Sequence, residues 1–396
     1  MQLCEEVADG LAGRGHDIAV LTSSTLPAPE LYRPYPVYRS LKIDPDWESK
    51  WPGYLRFFIG RRSRERNAIA ALQRLWSQFK PQIIFVWHAV GLPKALLQEA
   101  ENLQETQVVY YLADYQAEIG DEYIEYWSGN PANPLACVLK SPLRMVALAI
   151  LKAEGKPIKL KYEHVICVSH YVRDRLIRSG HISPESLVIH NGIDLTCFSP
   201  ANRRKSPGPD SRLRCLVAGR IIPHKGVHTV IQAFDHLRRQ FSLEDVTLTI
   251  LGDGPKDYLA RLQEMIVHFG LQQMITFRGP VLRSQMPEVF SEHDVLILAS
   301  EYEEPLARAI QEAMAMELLV IGTTTGGSSE LLIHDQTGLT FSAGDSLELA
   351  KQIARAITQP DLIAHLVKAG RKAVEDGFDI QKTVSKIEHY LRDLAE

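Results

Sequence analysis

Residues 294–330 read DVLILASEYEEPLARAIQEAMAMELLVIGTTTGGSSE. The apolar run Val295–Leu298 has the length and β-branched character of a buried strand. It breaks into a loop carrying Glu301, Glu303 and Glu304. Pro305 suits the first position of a helix, where its missing N–H would have been unpaired anyway. The helical-period segment that follows carries Glu312 and leads into a second apolar run, Leu318–Gly322, and then into Gly326-Gly327 before another helix start. Strand, loop, helix, strand, loop is a βα repeat, the unit from which parallel sheets with helices on both faces are built. Acids near a helix N-terminus complement its dipole. That accounts for one or two of these carboxylates and leaves the rest to be explained.

The same alternation extends in both directions. Further strands are expected at Ile18–Leu21, Ile83–Trp87, Val108–Leu112, Val165–Val168, Leu187–His190, Leu213–Ala218, Val246–Leu251 and Ile275–Arg278. At 396 residues the chain exceeds one ordinary core and implies two domains. The text changes at residues 199–212, SPANRRKSPGPDSR, which is rich in proline, serine and basic residues and reads as the linker. The division is therefore 1–198, a linker 199–212 and a second domain 213–375, with 376–396 as a C-terminal helix crossing back to the first domain. A net charge of −4 exerts no general pull toward nucleic acid. Five scattered cysteines without CxxC spacing suit a reducing cytosol better than a disulfide framework or a zinc site. No apolar run approaches the roughly 18 residues needed to cross a bilayer.

In open parallel sheets, ligands sit beyond the carboxyl ends of the strands. Three loops of the second half are thus the candidate site. After Ala218 comes GRIIPHKG, with Arg220 and Lys225 in the loop and a helix opening at Gly226, whose apolar face is Val227, Val230, Ile231 and Phe234. Two cations beside a helix N-terminus make a seat for a diphosphate. After Leu298, Glu304 stands at the expected helix mouth, with Glu312 roughly 12 Å further along at ~1.5 Å per residue. Carboxylates are good acceptors for paired sugar or ribose hydroxyls. After Gly322, Gly326 and Gly327 permit close backbone approach and offer N–H groups to an oxyanion. Three such loops on one sheet edge describe a nucleotide-sugar site.

These stretches, together with VICVSHYVRDRL, VIHNGIDLTCFSP, LGDGP, FRGPV and GGSSELLIHDQTGLTF, resemble the family-4 retaining glycosyltransferases in the family's order. The resemblance implies the GT-B fold, two Rossmann-like α/β domains facing a central cleft. It implies that Arg220 and Lys225 bind the donor diphosphate and stabilise the leaving nucleotide. Glu304 would bind the donor sugar's hydroxyls, Glu312 the nucleotide ribose, and the amides of Leu306 and Ala307 the distal phosphate. It further implies no metal and no cofactor, with a nucleotide-sugar donor, a UDP-sugar first among them, as substrate. The only Asp-x-Asp, Asp44-Pro45-Asp46, is expected to be structural.

The chain also departs from the family pattern. Glycines are usual where Pro305 and Ala307 stand, which narrows the room for a sugar. Where many members have His-Asp after the strand matching Val108–Leu112, this chain has Ala113-Asp114, so Asp114 is the candidate to assume part of that role. His88 is a weaker one, expected to be structural. Family members begin with a strand and a glycine-rich loop, whereas this sequence starts on a helix with Leu3, Val7 and Leu11 on its apolar face. That is the pattern of a trimmed polypeptide or misassigned start, with weakened activity. The arginine- and aromatic-rich stretch Trp47–Asn67 reads as a solvated helix face beside a local core, or as a rim for an anionic acceptor or lipid headgroups. The aromatics of Asp121–Pro134 read as an acceptor-side loop. The implied partners are a nucleotide-sugar donor and a hydroxyl acceptor, with an anionic or lipid-linked acceptor and a peripheral membrane contact left open, in the cytoplasm or at the inner membrane face. The competing functions are a catalytically silent nucleotide-sugar-binding protein and a phosphorylase or epimerase of the same fold.

Overall fold

The computed structural model describes residues 2–24, 33–42, 57–58, 60–129, 134–202, 212–243 and 245–396. The Asp44–Asp46 motif, most of the Trp47–Asn67 stretch before Gly60, and residues 203–211 lie outside the described residues. The chain divides into two compact units. One comprises Met1–Val168, Val172–Ile189 and Val384–Glu396; the other comprises Ser169–Tyr171 and His190–Thr383. The division therefore falls at His190, ahead of the proline-rich 199–212 stretch. The reason is local pairing: Ile193 donates to the Phe378 carbonyl and accepts from the Ile380 amide, at 2.9 and 3.0 Å, so the NGID turn belongs with the second unit. Composition marks where a chain is exposed, whereas contacts mark where a domain begins.

In the first unit, strands β1 (Val20–Ser23) and β2 (Val37–Leu41) form a parallel pair. Strands β3 (Ile83–Trp87), β4 (Gln107–Leu112), β5 (His164–Cys167) and β6 (Leu187–Val188) form a parallel sheet in that order. All of β4 after Gln107 is buried, as expected of a strand covered on both faces. Strand β2 was not anticipated: its three central residues are exposed, so it lacks the apolar run that marks the others. The opening helix Gln2–Ala12 buries Leu3, Val7 and Leu11 as its period predicts. Arg14 and His16, just past it, bind Glu388 at 2.7 and 2.8 Å.

The aromatic reading of Asp121–Pro134 is corrected by the packing. Asp121 caps the helix Glu122–Ser128, accepting from the Tyr123 and Ile124 amides, and that helix turns Trp127 wholly inward against Phe57, Tyr123, Ala147 and Leu151. Trp127 cannot stack on a sugar. Two of the five arginines of the Trp47–Asn67 stretch are also committed internally. Arg61 is buried and pairs with Glu154 and Glu65, and Arg62 with the same Glu154.

The second unit contains strands β7 (Leu213–Ala218), β8 (Val246–Leu251), β9 (Ile275–Arg278), β10 (Val295–Leu298), β11 (Leu319–Gly322) and β12 (Leu339–Thr340), all parallel. Their spatial order is β12-β11-β10-β7-β8-β9. This is the doubly wound order, whose switch point lies between its first and fourth strands, here β7 and β10. The helix Val227–Phe241 buries Val227, Val230, Ile231 and Phe234 to 1% exposure or less. Strand β12, two residues long, is too short to leave a sequence signal. Among the described residues no helix is long and apolar enough to cross a membrane.

Candidate functional site

The loop leaving β7 carries Arg220, exposed and without an ion-pair partner among the described residues. Pro223–Lys225 makes one tight turn that ends at Gly226, with φ 65°. A Cβ at Gly226 would lie 2.0 Å from the carbonyl oxygen of Ala299. Only glycine allows the loops on the two sides of the switch point to touch here. The contact is locked by the Glu301 amide, which donates to the His224 carbonyl at 2.9 Å.

That closeness brings two predicted donor residues together: the Lys225 ammonium forms an ion pair with the Glu304 carboxylate. The same Glu304 oxygen accepts from the Ser300 hydroxyl at 2.7 Å, and the side chain is only 10% exposed. Glu301, to which the sequence assigns no role, is engaged. It accepts from the Thr229 hydroxyl at 3.2 Å and stands 3.3 Å from His228 Nε2.

In the third loop, one of the two glycines serves a different purpose from the one the sequence suggested. Glu304 pairs with Gly326 in a one-residue parallel bridge, and the Gly327 amide donates to the Glu304 carbonyl at 2.7 Å. The Gly327 N–H is thus already spent and is not free for an oxyanion. A Cβ at Gly327 would lie 1.9 Å from the Pro305 carbonyl, so the small residue serves backbone packing. Thr323 and Thr325 donate to the Ser300 and Tyr302 carbonyls at 2.7 and 2.8 Å, fastening the acidic loop further.

This bridging also moves the helix start. Glu304 is held as strand, so the helix runs Arg308–Ala315 and not from Pro305. The helical spacing assumed between Glu304 and Glu312 does not apply, because Glu304 is off the helix. Ala307 precedes the helix at φ −74°, ψ 109°, a conformation that needs no glycine, and no side chain caps the N-terminus. The amides of Leu306 and Ala307 have no acceptor among the described residues. They remain available beside an uncapped helix end, a setting that favours an anion.

Glu312 is buried, its side chain 2% exposed, and it is paired with Arg283 from the loop after β9. Arg308 Nε stands 3.7 Å from the same carboxylate oxygen. Sequence reasoning missed Arg283; its one signal was a basic residue in a loop at the carboxyl edge of the sheet. Glu330, at the end of the Gly-Gly turn, accepts from the His170 and Tyr171 amides at 3.1 and 2.9 Å and from His190 Nε2 at 2.8 Å. Burial alone would raise its carboxyl, but the bonds from His190 and the two amides outweigh that and hold it below its ordinary range.

In the first unit, Asp114 lies at the end of β4 and meets His88, at the end of β3, with Oδ2 3.0 Å from Nδ1. Asp114 also accepts from the Gln116 amide at 2.9 Å. His88 has φ 37°, unusual for a residue with a side chain, and stays 60% exposed. The structure thus pairs Asp114 with a histidine from the neighbouring strand, while Ala113 is exposed and offers no polar group.

The second unit is thus a doubly wound parallel sheet with cations, carboxylates and backbone amides without acceptors among the described residues gathered at its switch point. Comparison with known proteins gives the family. Residues 2–196 match the Glycosyltransferase Family 4 model and residues 198–373 the Glycosyl transferases group 1 model. The chain belongs to this glycosyltransferase family and has its GT-B fold. To YtcC of Bacillus subtilis it is 28% identical over 253 residues, which cover 59% of this chain and 61% of that protein. To the GDP-mannose-dependent alpha-(1-6)-phosphatidylinositol monomannoside mannosyltransferase of Mycobacterium tuberculosis it is 26% identical, over 78% of this chain and 75% of that one. Among solved structures it resembles Anabaena HepE in complex with UDP and glucose, with a TM-score of 0.64 and 21% identity, covering 90% of this chain and 86% of that one.

Proposed function

We propose that the protein is a retaining glycosyltransferase that moves a sugar from a nucleotide-sugar donor to an acceptor hydroxyl. The observation that carries this reading is the meeting of Lys225 and Glu304 across the switch point, where ligands of doubly wound sheets bind. In this reading Arg220 and Lys225 hold the diphosphate, and the Leu306 and Ala307 amides take its distal phosphate. Glu304 holds the sugar's hydroxyls and Glu312 the ribose. As the bond from the anomeric carbon to the phosphate oxygen breaks, negative charge gathers on the departing diphosphate. Preorganised cations and helix-end amides stabilise that charge. The acceptor oxygen forms its bond on the face the phosphate leaves, and its proton passes to the departing phosphate oxygen. No protein nucleophile is needed, and the cation pair stands where other enzymes use a divalent ion.

A UDP-sugar is the first donor to test, since the fold neighbour HepE is described with UDP and glucose. The mycobacterial relative is GDP-mannose-dependent, so GDP-sugars belong in the same screen. The acceptor is a hydroxyl of a glycan, glycolipid or small molecule; the cytoplasmic setting rests on the scattered cysteines, and a peripheral membrane contact on the arginine- and aromatic-rich Trp47–Asn67 stretch. The test is a thermal-shift and transfer screen across UDP-, GDP- and ADP-sugars, because a ligand that binds only the native state raises the melting temperature. A donor that both shifts melting and is turned over supports the reading. Binding without any turnover makes the chain a silent nucleotide-sugar binder, and no binding at all removes the donor site.

A further inference from the structure

We infer that Arg283 is a positioning residue that makes Glu312 a reader of the nucleotide ribose, so that preference for ribonucleotides over deoxyribonucleotides depends on an arginine outside the glutamate's own motif. The inference rests on the donor reading proposed above. Glu312 is nearly inaccessible, and a buried carboxylate needs a partner to remain charged and fixed. Its pairing is one-sided. The Arg283 guanidinium donates to Oε1, and Arg308 Nε approaches that same atom at 3.7 Å, beyond hydrogen-bond reach. Oε2 has no donor among the described residues. One oxygen is clamped and the other is left for hydroxyls, which is the arrangement a pair of ribose hydroxyls requires. The cation also offsets the carboxylate's charge, which would otherwise repel the diphosphate of the same ligand.

Arg283 is itself held. Its guanidinium lies 5.1 Å over the ring of Phe198, which is 3% exposed. Phe198 packs edge-on against Phe290 at 6.1 Å, and its carbonyl accepts from Arg371 at 3.1 Å. Behind Arg283 the turn is closed by the Leu282 amide donating to the Gln285 side chain at 2.9 Å. A planar fork stacked on a ring fixes direction in a way that a lysine ammonium does not. Without Arg283, the Glu312 carboxylate loses its only direct hydrogen bond among the described residues and with it the orientation of Oε2.

The test uses the full chain and titrates UDP, 2′-deoxy-UDP, GDP and 2′-deoxy-GDP calorimetrically into the wild type, Arg283→Ala and Arg283→Lys. The wild type is expected to favour the ribonucleotide by about tenfold or more, the cost of a buried acceptor losing its donor. In Arg283→Ala the ratio should shrink to within about threefold, with Arg283→Lys between, and the melting temperature of the alanine variant should fall, because Glu312 stays buried without its cation. If the alanine variant does not fold, Arg283→Lys and Arg283→Gln carry the comparison. Retention of the full ratio in the folded variants overturns the inference. Equal binding of ribo- and deoxyribonucleotides by the wild type also overturns it and leaves the donor site standing. If the wild type binds no nucleotide, the donor reading falls and this inference with it.

Discussion

The Lys225 ammonium and the Glu304 carboxylate, from loops 79 residues apart, form one ion pair at the switch point between β7 and β10. The expected phosphate cation and the expected sugar acceptor therefore satisfy each other. In the donor complex proposed above, this contact is exchanged, with the diphosphate taking Lys225 and the sugar hydroxyls taking Glu304. The exchange makes the two residues separable by experiment.

Glu304→Gln should release Lys225 for phosphate while losing the charged sugar acceptor. UDP or GDP alone is expected to bind as tightly as in the wild type or a few-fold tighter, while transfer falls by about 10²-fold or more. Calorimetry with the bare nucleotide and a transfer assay with the full donor read the two halves. A parallel loss in both would mean that the pair acts only as structural glue.

Lys225→Met removes the cation and leaves Glu304 held by Ser300. Transfer is expected to drop by about 10²–10³-fold, the usual cost of losing one charge-stabilising group, with nucleotide affinity falling as well. Circular dichroism and melting should remain close to the wild type. Unchanged kcat would remove Lys225 from the site.

Gly226→Ala tests the close approach of the two loops. The new Cβ would collide with the Ala299 carbonyl at 2.0 Å and hold an alanine at φ 65°. A loss of about 2 kcal/mol or more is expected in urea unfolding, together with a weaker nucleotide site. Wild-type stability would show that the loops can part without cost.

Glu330→Gln addresses acid stability. The Glu330 carboxyl is held below its ordinary value of 4.5 in the folded chain. Its contribution is then fully present above that value and is lost as pH falls through the lower folded value. The stability gap between wild type and variant should be widest at neutral pH and shrink as pH falls below 4.5 and through the lower folded value. Urea melts at several pH values measure it, and a gap independent of pH would contradict the assignment.

Trp127→Ala should act through the core and not through an acceptor. A loss of about 3–5 kcal/mol is expected for a fully buried indole. Comparison of KM for acceptors under conditions where the variant stays folded should show little change.

Several strands were legible to the residue, among them β3, β7, β8, β9 and β10. Most are apolar runs at least half buried, and burial of that kind writes itself into composition. Strand β2 was not legible because its exposed centre needs no apolar residues. Helix starts were read less well. The proline rule placed one at Pro305, but pairing of Glu304 with Gly326 and of Gly327 with Glu304 accompanies a segment that stays non-helical as far as Ala307.

By itself, the sequence determined the α/β alternation, the family and the three loops on which the candidate site stands. All of these follow from local periodicity, turn chemistry and ordered motifs. The tertiary structure alone decided which charge meets which: Lys225 with Glu304, Arg283 with Glu312, His88 with Asp114. It also turned Trp127 inward and spent the Gly327 amide on Glu304. An ion pair or a close backbone approach joins residues far apart in the chain, so no local pattern encodes the partner, and only the folded sheet edge brings the two together.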